Sequence, residues 1–168
     1  KKNIPTYAEF YEGRYFTPGE ERITNYRLGE YEIPFGTNLL FRCEELPELV
    51  LGCEICEDLW VADPPSTSHT LAGATVIANL SASNETVSKD AYRELLIKSA
   101  SARLLCGYIY TSAGEGESTQ DLVFGGHNLI AENGTLLAQS SRFATGILYT
   151  DLDVLKISSE RRRMGTFG

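Results

Sequence analysis

The side chains with the most chemical potential cluster in residues 46–60, LPELVLGCEICEDLW. An apolar run, Leu49-Val50-Leu51-Gly52-Cys53, continues through Ile55 and breaks at Cys56-Glu57-Asp58. The run reads as a buried strand. A cysteine at a strand end, followed by carboxylates, can present a thiol nucleophile. The competing reading is a half-buried cysteine that closes a core strand, since a free thiol packs as a small hydrophobe. Cys53-Glu54-Ile55-Cys56 is also a CxxC, which raises zinc binding and thiol redox chemistry. A structural zinc needs two further ligands at compatible spacing, whereas Cys43, Cys106, His69 and His127 each stand alone. A redox pair sits at a helix start. Here both cysteines fall in or at the end of a strand pattern, where an offset of three puts their side chains on opposite faces. Cys53 therefore reads as core and Cys56 as the thiol with carboxylates beside it. No motif surrounds either histidine, so both are read as structural. Lysine and glutamate remain as activators of Cys56.

The elements that must position this thiol are legible in outline. Residues 1–19 hold five aromatics, Tyr7, Phe10, Tyr11, Tyr15 and Phe16, bounded by Pro5 and Pro18-Gly19. That is a loop with a short helical turn near 8–12, and long aromatic loops commonly serve function. Short strands are expected at 30–33 and 37–42, around turn signals at Leu28-Gly29 and Pro34-Phe35-Gly36. A short helix near 67–73 precedes a buried strand at 75–80, which runs into the small polar cluster Ser81-Ala82-Ser83-Asn84. The clearest helix spans 88–106, with Ser88 as N-cap and Gly107 as its stop. Tyr92, Leu95, Leu96, Ser99, Ala102 and Cys106 fall on a helical period and form its expected core face. Strands follow at 108–112, 127–131 and 135–139, the last two joined by the hairpin signal Asn133-Gly134. A final strand at 147–151 and a helix at 153–164, with three arginines near its end, complete the order. Strands alternating with helices make an α/β or α+β layered domain.

Composition sets the outer limits. The chain has 168 residues, 42% of them hydrophobic and 23% charged, enough for one proper core. A formal net charge of -8 argues against nucleic acid and anionic membrane as partners. No apolar run approaches the roughly 20 residues of a membrane span. Four cysteines in a chain this long suggest free thiols in a reducing cytoplasm.

Several separated segments carry a family resemblance. Glu54-Ile55-Cys56-Glu57-Asp58-Leu59-Trp60 resembles the nucleophile motif of the nitrilase, or carbon–nitrogen hydrolase, superfamily, and Lys1 before Pro5 resembles its lysine motif. With Pro5-Thr6-Tyr7, Glu9-Phe10-Tyr11-Glu12, Ala78 to Asn84 and Glu160 to Met164, the chain is similar to the glutaminase domains of glutamine-dependent NAD⁺ synthetases over nearly its whole length. The resemblance implies a four-layer α-β-β-α sandwich, here incomplete at the N-terminus. It also implies a Glu-Lys-Cys triad that hydrolyses glutamine through a cysteine thioester. By that likeness Cys56 is the nucleophile and Lys1 the triad lysine, with the adjacent Lys2 as its rival. Glu12 is a second glutamate near the triad. Glu57 and Ser83 bind the ends of glutamine, and Tyr7 and Phe10 wall the pocket.

The family's general-base glutamate lies upstream of its lysine, so residues 1–168 are expected to be the central and C-terminal part of the glutaminase domain. The domain itself is expected to need no cofactor. ATP, Mg²⁺ and deamido-NAD⁺ would belong to a downstream synthetase domain of the same parent chain, and a homo-oligomer is expected. Two other readings stand beside this one: a stand-alone amidase of the superfamily, and a non-catalytic assembly fragment.

Overall fold

The apolar run around Cys53 forms the strand on which the molecule is built. The computed structural model describes residues 2–119 and 121–168. Its main sheet has six strands, in the order β3 (Leu40–Arg42), β4 (Val50–Ile55), β5 (Val76–Ser81), β6 (Gly107–Ser112), β7 (Leu129–Glu132) and β8 (Thr135–Gln139). β4, β5 and β6 run parallel, and the flanking pairs are antiparallel. Parallel neighbours need crossovers. The helices α1 (Pro65–Leu71) and α2 (Lys89–Arg103) supply them. A third helix, α3 (Val154–Arg163), follows the sheet. This is the mixed α/β architecture expected, with the helix-covered sheet as its core layer.

In-register residues explain how one face becomes core and site together. Gly52, Ile77, Tyr108 and Ala131 form one row across the sheet, and Glu54, Asn79, Tyr110 and Leu129 form the next. Ile77, Tyr108 and Ala131 of the first row join Ile97 and Ala100 of α2, and Leu104 just past its end, in the hydrophobic core. Gly52 lets α1 pack closely there, since a Cβ would come to 3.0 Å from Ile77 and 3.1 Å from His69 on α1. The second row carries buried polar groups toward the carboxyl ends of the parallel strands. Ligands gather at that end of such sheets.

α2 forms where expected but presents a different face. Arg93, Ile97, Ala100 and Ser101 point inward, whereas Tyr92, Leu95, Ser99 and Ala102 are exposed. The expected face assumed that apolar residues lead a helix to its core, but here a charged residue does, because the buried site supplies it with partners. Ile97→Ala should therefore cost about 2–5 kcal/mol by leaving a cavity. Leu95→Ala should stay within about 0.5 kcal/mol. Urea unfolding of the two variants measures this, and equal losses would contradict the assignment.

Local signals succeed or fail for identifiable reasons. The Asn133-Gly134 turn forms with both residues at positive φ, 46° and 86°. A separate hairpin pairs β1 (Thr24–Leu28) with β2 (Tyr31–Phe35) about Gly29 at φ 62°. β1 itself was not expected. Ser88 makes no side-chain cap and has φ 66°. At the other end of α2 the left-handed residue is Leu105 at φ 44°, two residues before the expected glycine stop. Arg161 of α3 donates to the carbonyls of Leu104, Leu105 and Ala74 at 3.1, 2.8 and 2.7 Å, which satisfies this helix end. The strand at 37–42 shortens to Leu40–Arg42 because Thr37 serves as a brace, bonded to Glu20 and His69. The helical turn of the aromatic loop falls at Glu12–Arg14 rather than 8–12. Residues 147–151 form no strand; Ile147 and Tyr149 are both exposed and find no sheet edge to pair with. Among the described residues, no helix is long and apolar enough to cross a membrane.

Candidate active site

β4 ends at Ile55, and the chain turns at once into a short 3-10 helix, Cys56–Leu59. Cys56 occupies the turn at φ 50°, a region that non-glycine residues rarely adopt. Such strain costs about 1–3 kcal/mol and persists only where the surroundings enforce it. Two buried side chains do so. The Asp58 carboxylate accepts from the Ile55 N–H at 2.9 Å, which closes the turn from below. The Cys56 N–H donates to Asn79 Oδ1 at 3.3 Å. Asn79 is tied in turn to Glu54 and to the Tyr108 hydroxyl, each at 3.3 Å. Glu54 also accepts from the Ser66 N–H at 2.9 Å and from the Tyr108 hydroxyl. Burial first, and the Glu54 carboxylate second, push the Tyr108 phenol well above its ordinary range. It remains a donor, and this network holds the Cys56 turn from the sheet side.

Cys56 opens onto a cavity of about 400 Å³ whose walls include Tyr7, Phe10, Glu57, Ser83 and Lys89. The Tyr7 hydroxyl donates to both Glu57 oxygens at 2.9 Å. Burial and that carboxylate raise the Tyr7 pKa to about 12. The Tyr7 and Phe10 rings meet edge to face, with centroids 5.8 Å apart. Across the cavity, the Lys89 ammonium lies 5.2 Å from the Trp60 ring centroid and donates to Asn84 Oδ1. Burial, then Arg93, lowers its pKa. Asn84 Nδ2 donates to Glu9, so the aromatic loop is fastened to the loop after β5. The cavity thus carries an anion and a cation on separate groups, with a thiol at its edge. A zwitterionic amino acid needs such a pair at its two charged ends.

Beneath Ser83 lies Arg93, fully buried on α2. Its guanidinium donates to Glu85 at 2.9 Å and to His127 Nδ1 at 2.8 Å. It also reaches Ser83 Oγ and the Asn84 carbonyl at 3.5 Å. Arginine has no acceptor, so His127 Nδ1 must be the unprotonated nitrogen. Nε2 then carries the proton, and because the Gln139 amide nitrogen stands 2.7 Å from it, the amide must turn over to offer its oxygen instead. Burial, then the Arg93 charge, holds the His127 pKa below its usual value.

That shift has a definite sign. The unfolded imidazole takes up a proton below about pH 6.5. The folded one resists, so its stability contribution is whole above that pH and lost as pH falls through the window below it. His127→Gln keeps an acceptor for Arg93 without titrating. Between pH 7.5 and 5.5 its urea midpoint should fall less than that of the parent. Parallel falls would exclude His127 as the group responsible.

The structure brings Cys56, Tyr7, Phe10, Glu57 and Ser83 to one cavity. Glu12 lies instead on a second, largely apolar cavity of about 690 Å³ on the other side of Cys56, with Ile4, Phe16, Ile55 and Leu80. Lys1 lies outside the described residues. Its rival Lys2 turns away: its ammonium pairs with Glu21 at 2.6 Å, and it lines a separate cavity with Cys53. Cys53 and Cys56 are both free thiols. Among the described residues, no group of three or more His, Cys, Asp or Glu is placed to hold a metal. Both histidines are buried and hydrogen-bonded away from the thiol. Asn79, Asp58, Lys89 and Arg93 escaped the sequence reading as site residues. The only available signal was polarity inside otherwise apolar segments, as at Asn79 in TVIANL.

Fold and site are those of the carbon–nitrogen hydrolase family, to which the chain belongs: the family model for carbon-nitrogen hydrolase matches residues 2–162. Among its relatives are the glutamine-dependent NAD(+) synthetases of Mycobacterium bovis and Mycobacterium tuberculosis, each 51% identical over 169 residues, covering 99% of this chain. The chain spans 25% of the length of those relatives. A glutamine-dependent NAD(+) synthetase from Cytophaga hutchinsonii superposes with a TM-score of 0.74 at 28% identity, over 89% of this chain and 23% of that one. A carbon-nitrogen hydrolase from Helicobacter pylori G27 gives 0.76 at 21% identity, over 99% and 55%, a likeness of fold alone.

Proposed function

We propose that this segment hydrolyses the side-chain amide of glutamine and supplies ammonia to an NAD⁺ synthetase of which it is part. The observation that carries the reading is the Cys56 turn, a strained thiol-bearing corner opening on a cavity with Glu57 and Lys89 on its walls. The thiolate attacks the amide carbon of glutamine, and the carbonyl oxygen becomes an oxyanion. The C–N bond then breaks and ammonia leaves with a proton delivered by the general base. Water attacks the thioester and releases glutamate and the thiol. Glu57 meets the substrate ammonium, Ser83 and Lys89 its carboxylate, while Tyr7 and Phe10 close the pocket around the methylenes.

Lys1 is the cation assigned to the oxyanion, supported by the engagement of Lys2 with Glu21. Removing one oxyanion donor costs about 10²–10³-fold in turnover. The general base is assigned to a glutamate, as in the family's triad, and Glu12, on the second cavity, helps to position Lys1 or the substrate. ATP, Mg²⁺ and deamido-NAD⁺ are handled by the remainder of the parent chain, and no step here runs through them. The test is labelling by a chloroketone analogue of glutamine. Cys56 should be modified and Cys53 spared, with glutamine protecting. Labelling that ignores glutamine would refute the substrate.

A further inference from the structure

We propose that Asp58 is a positioning residue that fixes the oxyanion-side lysine segment to the nucleophile turn; this rests on the reading that Lys1 is the oxyanion cation. Asp58 is 1% exposed, yet it belongs to the same short turn as Cys56. Its two carboxylate oxygens face different segments. Oδ2 accepts from the Ile55 N–H at 2.9 Å, inside the turn. Oδ1 accepts from the backbone N–H of Asn3 at 2.8 Å and from the Asn3 side-chain amide at 2.9 Å. The Lys2 N–H approaches Oδ2 at 3.4 Å. One buried carboxylate therefore joins residues 2–3 to residues 55–58. The chain separation is 55 residues for Asn3.

The joined segments are the two that the reaction must hold in register. Cys56 follows Ile55 directly, and Lys1 precedes Lys2 directly. Bonds from an ionised acceptor to backbone N–H groups are short and strong. They fix main chain rather than a side-chain rotamer, so they transmit position to the neighbouring residue. A carboxylate is required because both sides present donors. The amide of Asp58→Asn has a single oxygen. Whichever way it turns, its NH₂ faces either the Ile55 N–H or the Asn3 donors, and one segment is released. A displacement of about 1 Å in a catalytic group can cost 10²-fold in rate.

The experiment is a double-mutant cycle in the full-length natural protein, crossing Asp58→Asn with Lys1→Met. The substrate is an activated γ-ester of glutamate, which keeps residual rates measurable. Asp58→Asn alone should lower kcat by about 10²-fold with KM changed less than about threefold, since its bonds reach the main chain of residues 2–3 and Ile55, and not Glu57 or Lys89. In the Lys1→Met background the same change should lower kcat by no more than about tenfold, the share that reaches Cys56 through the Ile55 N–H, because the lysine it positions is gone. A fold-wide effect would lower both backgrounds equally and overturn the proposal. Wild-type kcat in Asp58→Asn, with Lys1→Met impaired, would overturn it while sparing the reading of Lys1. Wild-type kcat in Lys1→Met would overturn that reading itself. If Asp58→Asn does not fold, Asn3→Ala carries the cycle, with an expected loss of about tenfold that vanishes in the Lys1→Met background. An unchanged kcat in Asn3→Ala then overturns the proposal.

Discussion

Cys56→Ala is expected to abolish ammonia release from glutamine, by about 10⁴-fold or more, as loss of a nucleophile does when several groups act as one unit. In a full-length synthetase carrying this segment, synthesis from free ammonia should continue, because amide hydrolysis and nucleotide chemistry would occupy separate sites. Alanine keeps a Cβ at φ 50° and so retains the strain of the turn. Folding should therefore change little, and the loss would report chemistry. Cys53→Ala is the matching control. Cys53 faces the cavity beside Lys2 and has its pKa raised by burial, which disfavours the reactive thiolate. Its loss should leave turnover intact at a packing cost of about 1 kcal/mol. A folded Cys56→Ala protein that loses both glutamine- and ammonia-dependent synthesis would contradict the assignment. A folded Cys53→Ala protein as inactive as Cys56→Ala would reinstate a dithiol mechanism.

Arg93→Ala should be the most destabilising single change in the helix layer, by about 3–5 kcal/mol, the cost of breaking a buried pair and leaving one charge behind. Glu85, 2.9 Å from the guanidinium, would keep only the longer 3.8 Å contact with Arg142. His127 would lose its donor, and the loop bearing Ser83 and Asn84 would lose its buried anchor to Arg93, keeping the tie from Lys89 to Asn84. Arg93→Lys should not rescue, because one ammonium cannot serve Glu85, His127 and the Asn84 carbonyl in the fork geometry of a guanidinium. Urea denaturation measures the loss directly. Arg93→Met within about 1 kcal/mol of the parent would show that the pair stabilises nothing net. The consequence for the site is indirect. Glutamine affinity should weaken before turnover does, since Ser83 and Asn84 line the cavity and do not touch the thiol network.

The strand of 49–55, the polar cluster after β5 and the Asn133-Gly134 hairpin were all legible locally. Each depends on side-chain alternation or turn stereochemistry within a few residues. The face of α2 was not. Periodicity can count apolar side chains, but it cannot see that Arg93 meets Glu85 and His127 in the interior. The expected strand at 147–151 failed for a related reason. Its alternation is real, but a strand also needs a neighbour to bond with, and none adjoins it among the described residues.

The order of residues settled which thiol to examine. Cys56 ends an apolar run and is followed by two acids, whereas Cys53 sits within the run. The segments resembling the family's motifs identified Tyr7, Phe10, Glu57 and Ser83, and folding brings all four to the Cys56 cavity. Tertiary structure alone decided what holds that thiol in place. Asp58 reaches Asn3 across 55 residues, Asn79 reaches the Cys56 N–H across 23, and Arg93 reaches His127 across 34. No local spacing encodes such contacts. A buried polar group declares its role only through the partners that desolvation obliges it to find, and those partners meet only when the sheet and its crossover helix have closed.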